Sequence, residues 1–86
     1  MITYNLETIH DSHKSFYGKA KVVENDLMKS LYSYDTLVAT LDTTTGKITL
    51  HPRWNESQTT LRHVKEFLKQ NNCFVGSKSE LEKYYC

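Results

Sequence analysis

The sequence predicts one α+β domain, in which strands come first along the chain and helices follow. Apolar and polar residues alternate in several segments before Pro52, which is the period of a strand. After Trp54, apolar residues recur every three or four positions, which is the period of a helix. We expect a single domain over residues 1–86: a three- or four-stranded antiparallel sheet, one amphipathic helix packed on it and a short C-terminal helix beside that helix.

The strands are predicted from alternation and from the turn residues between them. Residues 2–6 alternate as a half-buried strand, and residues 15–23 do so with small residues on one face. Residues 31–42 are rich in β-branched and aromatic side chains and form either one bulged strand or two short ones. Residues 43–47 are typical of a hairpin turn, which makes residues 48–51 the returning strand.

The helices are predicted from their caps and from one apolar stripe. Ser57 can cap a helix that runs to about Gln70, with Leu61, Val64 and Leu68 on its buried side. Ser77 followed by Glu80 has the spacing of a capping box, so a second, short helix is expected after Gly76.

Charge and cysteine content exclude several function classes. Eleven Lys and Arg against ten Asp and Glu give a net charge of +1, which disfavours both a nucleic-acid groove and an acidic DNA mimic. We expect no membrane span and no leader, hence a cytoplasmic protein, because no apolar run approaches the ~20 residues that a span needs. Two cysteines are too few for a disulfide framework.

No catalytic motif is present. The three glycines are far apart in sequence and cannot form a phosphate-binding loop, and no metalloprotease, nucleophile-elbow or C-x-x-C pattern occurs. We therefore expect a binding protein and not an enzyme.

A zinc site is one hypothesis, since imidazole nitrogen and thiolate sulfur are the ligands of tetrahedral zinc. His10, His13, Cys73 and Cys86 could supply them and join both ends of a small fold. The alternative is a pair of solvated loop histidines and an incidental terminal thiol.

A protein-binding surface is the other hypothesis, because ten aromatic residues exceed what one small sheet buries readily. His63 falls outside the Leu61 stripe and is expected to be accessible or half accessible. The alternatives are tyrosines that cover the backbone of an open sheet face and an ordinary helix-surface histidine. The residues predicted to contact a partner are Tyr32, Tyr34, Arg53, Trp54, Arg62 and His63.

Three stretches carry a resemblance to a known group: residues 57–68 (SQTTLRHVKEFL), 14–20 (KSFYGKA) and 31–36 (LYSYDT). The sequence resembles small uncharacterised proteins encoded by phages and prophages of Firmicutes. The resemblance implies an anti-defence inhibitor, namely an anti-CRISPR protein that binds a type II CRISPR effector nuclease of the host stoichiometrically and blocks it. The neutral charge departs from the acidic inhibitors that imitate DNA, so we expect blocking of a protein lobe or of a conformational step. The alternative function is a small zinc-stabilised regulatory or nucleic-acid-associated protein.

Overall fold

The computed structural model of the protein describes residues 1–9, 16 and 18–85. In this part of the chain it has five strands followed by two helices, so the α+β prediction is confirmed with one strand more than the upper number expected. The elements are β1 (Ile2–Asn5), β2 (Ala20–Glu24), β3 (Met28–Ser33), β4 (Thr36–Asp42), β5 (Ile48–Leu50), α1 (Gln58–Gln70) and α2 (Lys78–Tyr85).

The strands form one antiparallel sheet in chain order, β1-β2-β3-β4-β5. Residues 31–42 make two strands because Tyr34 and Asp35 both have positive φ, 51° and 67°, and close a two-residue hairpin loop between β3 and β4. The register of this pair shifts between Leu31 and Tyr32, which leaves Val38 as the extra residue of a bulge. Val38 is consequently buried together with its neighbour Ala39.

One face of the sheet forms the core with α1 and α2, whereas no helix in the described part covers the other face. The cross-strand neighbours Val22, Leu31 and Ala39 lie on the covered face and are at most 1% exposed. Burial of such apolar side chains is the main driving force for this fold. Neither helix that the structure describes is long and apolar enough to cross a membrane.

Helix α1 begins and ends where its sequence signals predict. The Ser57 hydroxyl accepts a hydrogen bond from the Thr60 N–H at 3.1 Å and so caps the N-terminus. At the C-terminus Asn72 adopts the left-handed conformation with φ 58°. The N–H of Cys73 then donates to the Leu68 carbonyl at 2.9 Å, the bond that closes a Schellman motif.

Helix α2 is held by the predicted capping box and by one buried side chain. The Glu80 N–H donates to the Ser77 hydroxyl (3.3 Å), and the Ser77 N–H donates to the Glu80 carboxylate (2.9 Å). Leu81 is the fully buried residue of α2 and lies in the core.

Two strand predictions need correction. The second strand begins at Ala20, because Phe16 and Gly18 lie in a turn that the Lys19 N–H closes on the Phe16 carbonyl at 2.9 Å, whereas residues 15 and 17 of the predicted strand lie outside the described residues. The first strand was expected to be half-buried, yet Ile2 is 61% and Tyr4 is 40% exposed. It lies at the edge of the sheet, where fewer neighbours cover it.

Candidate functional site

The hairpin loop between β3 and β4 presents Tyr34 to solvent. Tyr34 is 52% exposed, while its backbone N–H donates to the Lys19 carbonyl at 2.9 Å. A two-residue loop with positive φ at both positions is the geometry in which Asn and Gly are preferred, because a bulky side chain crowds the backbone there. Asp35 satisfies that preference in part, and Tyr34 contradicts it.

A buried polar network lies beneath this loop and joins β3 to α1. The Ser33 hydroxyl donates to Thr60 Oγ1 at 3.2 Å and lies 2.7 Å from His63 Nδ1. Thr60 Oγ1 also accepts a hydrogen bond from the Ser57 hydroxyl at 3.1 Å. Ser33, Thr60 and His63 are at most 4% exposed, so the two contacts of the Ser33 hydroxyl are formed away from water, where leaving them unmade is costly.

Two aromatic rings enclose the imidazole of His63. Phe16 meets it edge to face at a centroid distance of 4.5 Å, and Tyr34 lies over it at 5.8 Å with the ring planes tilted by 37°. The ring of Tyr34 therefore rests on a packed layer and is not a freely rotating surface side chain.

Two lysines lie beside the β3–β4 loop. Gly18, Lys19, Lys21, Tyr34 and Asp35 line a shallow cavity of about 220 Å³. Two of these lining residues are lysines and one is an aspartate, so the lining has a formal excess of positive charge although the whole chain is close to neutral. An aromatic ring beside two lysines suits a partner segment that carries carboxylates.

Of the predicted contact residues, four lie where a partner could reach them. Tyr34 forms the site just described, and Tyr32 lies half-buried on the helix-free face between Lys21 of β2 and Leu37 of β4. Arg53 and Arg62 are exposed. Arg53 forms an ion pair with Glu56 at 3.3 Å.

The expected accessibility of His63 is wrong, and Trp54, a predicted partner contact, is buried as well. His63 is 0% exposed because the flank of α1 that carries it packs under the β3–β4 loop. Trp54 is 5% exposed, because the turn that its N–H closes on the His51 carbonyl at 2.9 Å directs the indole into the core. His63 supports the site from below, and Trp54 belongs to the core.

The zinc hypothesis stays a prediction, because His10, His13 and Cys86 lie outside the described residues. Within the residues that are described, no group of three or more potential ligands forms a cluster. Cys73 is half-buried, and its thiol donates to the Asn71 carbonyl at 3.5 Å. Burial raises the pKa of this thiol, and the nearby charge of Lys29 opposes the rise in part.

The chain matches the model of a family of unknown function, DUF8033, over residues 4–83. It belongs to that family. No curated protein and no solved structure matches it. In this DUF8033 protein the matched region runs from β1 to α2, so the Tyr34 loop and the network beneath it lie within it.

A second aromatic surface of the DUF8033 protein was missed from the sequence. Phe74 and Tyr84 stack with centroids 4.6 Å apart, and Tyr84 meets Tyr85 edge to face at 4.8 Å. Tyr84 is 65% exposed, and a cavity of about 320 Å³ separates this cluster from the β4–β5 turn, at the end of β4 away from Tyr34. The adjacent tyrosines at the end of a short helix are the signal that could have indicated it.

Proposed function

We propose that this DUF8033 protein is a non-catalytic inhibitor that binds a partner protein stoichiometrically through the site around Tyr34. The observation that carries the proposal is the backbone of Tyr34, a bulky residue that has φ 51° and is nevertheless 52% exposed. Strained residues of this kind cost about 1–3 kcal/mol each and cluster at binding sites, where the surrounding structure holds them.

The support beneath Tyr34 explains how that strain is maintained. The Lys19 carbonyl fixes its N–H, and the imidazole of His63 fills the space under its ring. Because Tyr34 is half exposed, part of its surface is available to a partner. A rigid aromatic ring of this kind loses little conformational entropy on binding, which is the property of interface anchors.

The charges around the ring favour an acidic partner surface. Lys19 and Lys21 lie on the same cavity as Tyr34, and Asp35 opposes only part of their charge. Such exposed charges chiefly raise the association rate and fix the orientation of the partner. We therefore expect binding to weaken as salt concentration rises.

The burial of Ser33 and His63 supports a binding role over a hydrolytic one. Their 2.7 Å contact has the distance of a nucleophile and its base. At 2% and 0% exposure, however, neither side chain can meet a substrate unless Tyr34 and Phe16 move away. The pair is better suited to holding the loop.

The resemblance to phage and prophage proteins selects the first partner to test. We propose an anti-defence role in the host bacterial cytosol, in which the partner is a type II CRISPR effector nuclease and inhibition follows from occupation of its surface. This choice rests on the resemblance, whereas the location of the binding site rests on the geometry of Tyr34.

Two experiments test both the partner and the site at Tyr34. The first is co-elution of the purified chain with the guide-loaded nuclease in size-exclusion chromatography, and the second is a DNA-cleavage assay. We expect an equimolar complex and loss of cleavage at equimolar inhibitor. Tyr34→Ala should weaken binding at least tenfold, since truncating an anchor typically costs about 2 kcal/mol. Tyr84→Ala, which removes an exposed tyrosine at the other end of β4, should bind as the natural chain does.

The outcomes separate the two parts of the proposal. Absence of a complex rejects this nuclease as the partner. A complex that Tyr34→Ala leaves intact, while circular dichroism shows the variant folded, rejects the site.

A further inference from the structure

Strand β1 forms one edge of the sheet, and within the described residues it has no charged side chain, proline or bulge that would hinder pairing with another strand. All four of its residues are exposed, and none is charged or a proline. Its pairing with β2 is regular, without a bulge. Edge strands of natural proteins are normally protected by lysines, prolines, bulges or a covering element.

The opposite edge is protected. Strand β5 has only three residues, and Pro52 follows two positions after its end. Helix α2 packs beside it, with Ile48 of β5 and Tyr85 of α2 in contact with the same core. The two edges of this sheet therefore differ in their readiness to accept another strand.

The hydrogen bonds of β1 show which backbone groups point outward. The Leu6 N–H donates to the Ala20 carbonyl at 2.8 Å, so the even-numbered residues of this segment bond to β2. Thr3 and Asn5 then direct their N–H and C=O groups to the outer edge. Within the residues that the structure describes, no group bonds to them there.

We propose that β1 is a self-association surface, on which β1 of a second copy pairs antiparallel about a twofold axis at Tyr4. In this register Thr3 of one copy lies opposite Asn5 of the other, and the outward N–H and C=O groups of both form reciprocal hydrogen bonds. The two five-stranded sheets become one continuous sheet.

The side chains of β1 suit a second copy of the same strand. Tyr4 of each copy meets at the axis as a non-hydrogen-bonded pair, in which Cα atoms approach to ~4.5 Å and aromatic side chains stabilise each other. Ile2 lies opposite Leu6 of the second copy, so an apolar residue that is 61% exposed in one copy becomes covered. No like charges meet along the strand, and the net charge of +1 per chain gives little repulsion.

The pairing would also affect the presentation of Tyr34. An antiparallel arrangement places the two β3–β4 loops at opposite ends of the joined sheet. The dimer would then offer two copies of the Tyr34 site, although the pairing itself does not depend on the proposed function.

Sedimentation equilibrium over a concentration series tests the proposal. The natural chain is compared with the variants Thr3→Pro and Thr3→Ala. We expect the average mass of the natural chain to rise from 10.1 kDa toward twice that value. Thr3→Pro removes an outward N–H that the β1–β2 pairing does not use, so it should raise the dissociation constant at least tenfold. Thr3→Ala keeps the N–H and should dimerise.

Cysteine cross-linking tests the register and remains decisive if Thr3→Pro does not fold. In a Cys73→Ser, Cys86→Ser background, Tyr4→Cys brings two thiols together at the axis, within the Cα range of a disulfide. The oxidant diamide should convert this variant to a covalent dimer. Thr3→Cys, whose thiol faces Asn5 of the second copy, should stay monomeric. A monomeric mass at every concentration, or equal cross-linking of both variants, would overturn the proposal.

Discussion

Replacing Ser33 with alanine tests whether the network beneath Tyr34 holds the sheet and α1 together. The substitution deletes a hydroxyl that is 2% exposed and that bonds to both Thr60 and His63. Thr60 Oγ1 keeps the hydrogen bond from Ser57, whereas His63 Nδ1 loses its contact with Ser33. Most of the loss in free energy of unfolding therefore comes from the lost contact of His63 Nδ1.

The magnitude follows from the burial of that nitrogen. Removing one partner of a buried polar group costs ~1–3 kcal/mol, and we expect about 2 kcal/mol. A domain of this length has a free energy of unfolding of roughly 4–13 kcal/mol, so the loss is a considerable fraction. It should lower Tm by about 8–16 °C, given about 4–8 °C per kcal/mol for a domain of this size.

Urea denaturation and thermal melting of Ser33→Ala measure this loss, with Ser30→Ala as the matched control. Ser30 lies on the same strand but on the helix-free face, where removing the hydroxyl should change the free energy of unfolding by less than ~0.5 kcal/mol. The double variant Ser33→Ala, His63→Phe removes both polar partners. Its loss in free energy of unfolding should be smaller than the sum of the losses of the two single variants. Equal effects of Ser33→Ala and Ser30→Ala would refute the argument.

Further predictions concern α2, two titrating groups and zinc. Leu81→Ala should lower the free energy of unfolding by about 2–5 kcal/mol, because this fully buried leucine joins α2 to the core; urea denaturation measures it, and a loss below ~1 kcal/mol would contradict it. The pKa of Glu80 is lowered, first by the backbone N–H of Ser77 and then by its hydroxyl, which bond to the carboxylate. The stability that this gives is present above the unfolded pKa of 4.5 and is lost as pH falls below that value. Glu80→Gln should therefore flatten the acid side of a profile of Tm against pH. Burial raises the pKa of Tyr85 to about 12. The stability contributed by its neutral hydroxyl is therefore present below the unfolded pKa of 10.0 and is lost as pH rises toward about 12. Tyr85→Phe should remove this decrease of Tm at alkaline pH. The zinc hypothesis requires one zinc per chain by elemental analysis, absent in Cys73→Ser; metal-free natural protein contradicts it.

Signals that act over a few residues predicted their elements well. The caps at Ser57 and Ser77 and the hairpin turn at residues 43–47 each depend on atoms close in sequence, and the structure confirms all three. A cap either satisfies the free N–H groups of the first helical turn or leaves them without a partner, so its sequence pattern is informative by itself.

Burial of polar residues could not be predicted in the same way. His63 lies outside the apolar stripe of α1 and Glu66 is a carboxylate, yet they are only 0% and 2% exposed. The helix is covered on its flank as well as on its apolar stripe, because Phe16 and Tyr34 fold over it from distant parts of the chain. Which flank of the helix becomes buried depends on contacts between residues that are far apart in sequence.

The sequence by itself determined the α+β class, the two capped helices and the hairpins of the sheet, since these follow from short-range periodicity and turn chemistry. Only the tertiary structure decided which aromatic residue forms the candidate binding site. Trp54 is drawn into the core, while Tyr34 stays exposed because a hairpin loop with positive φ lifts it over His63. Exposure is a property of the whole packing arrangement, because residues far apart in sequence provide the cover.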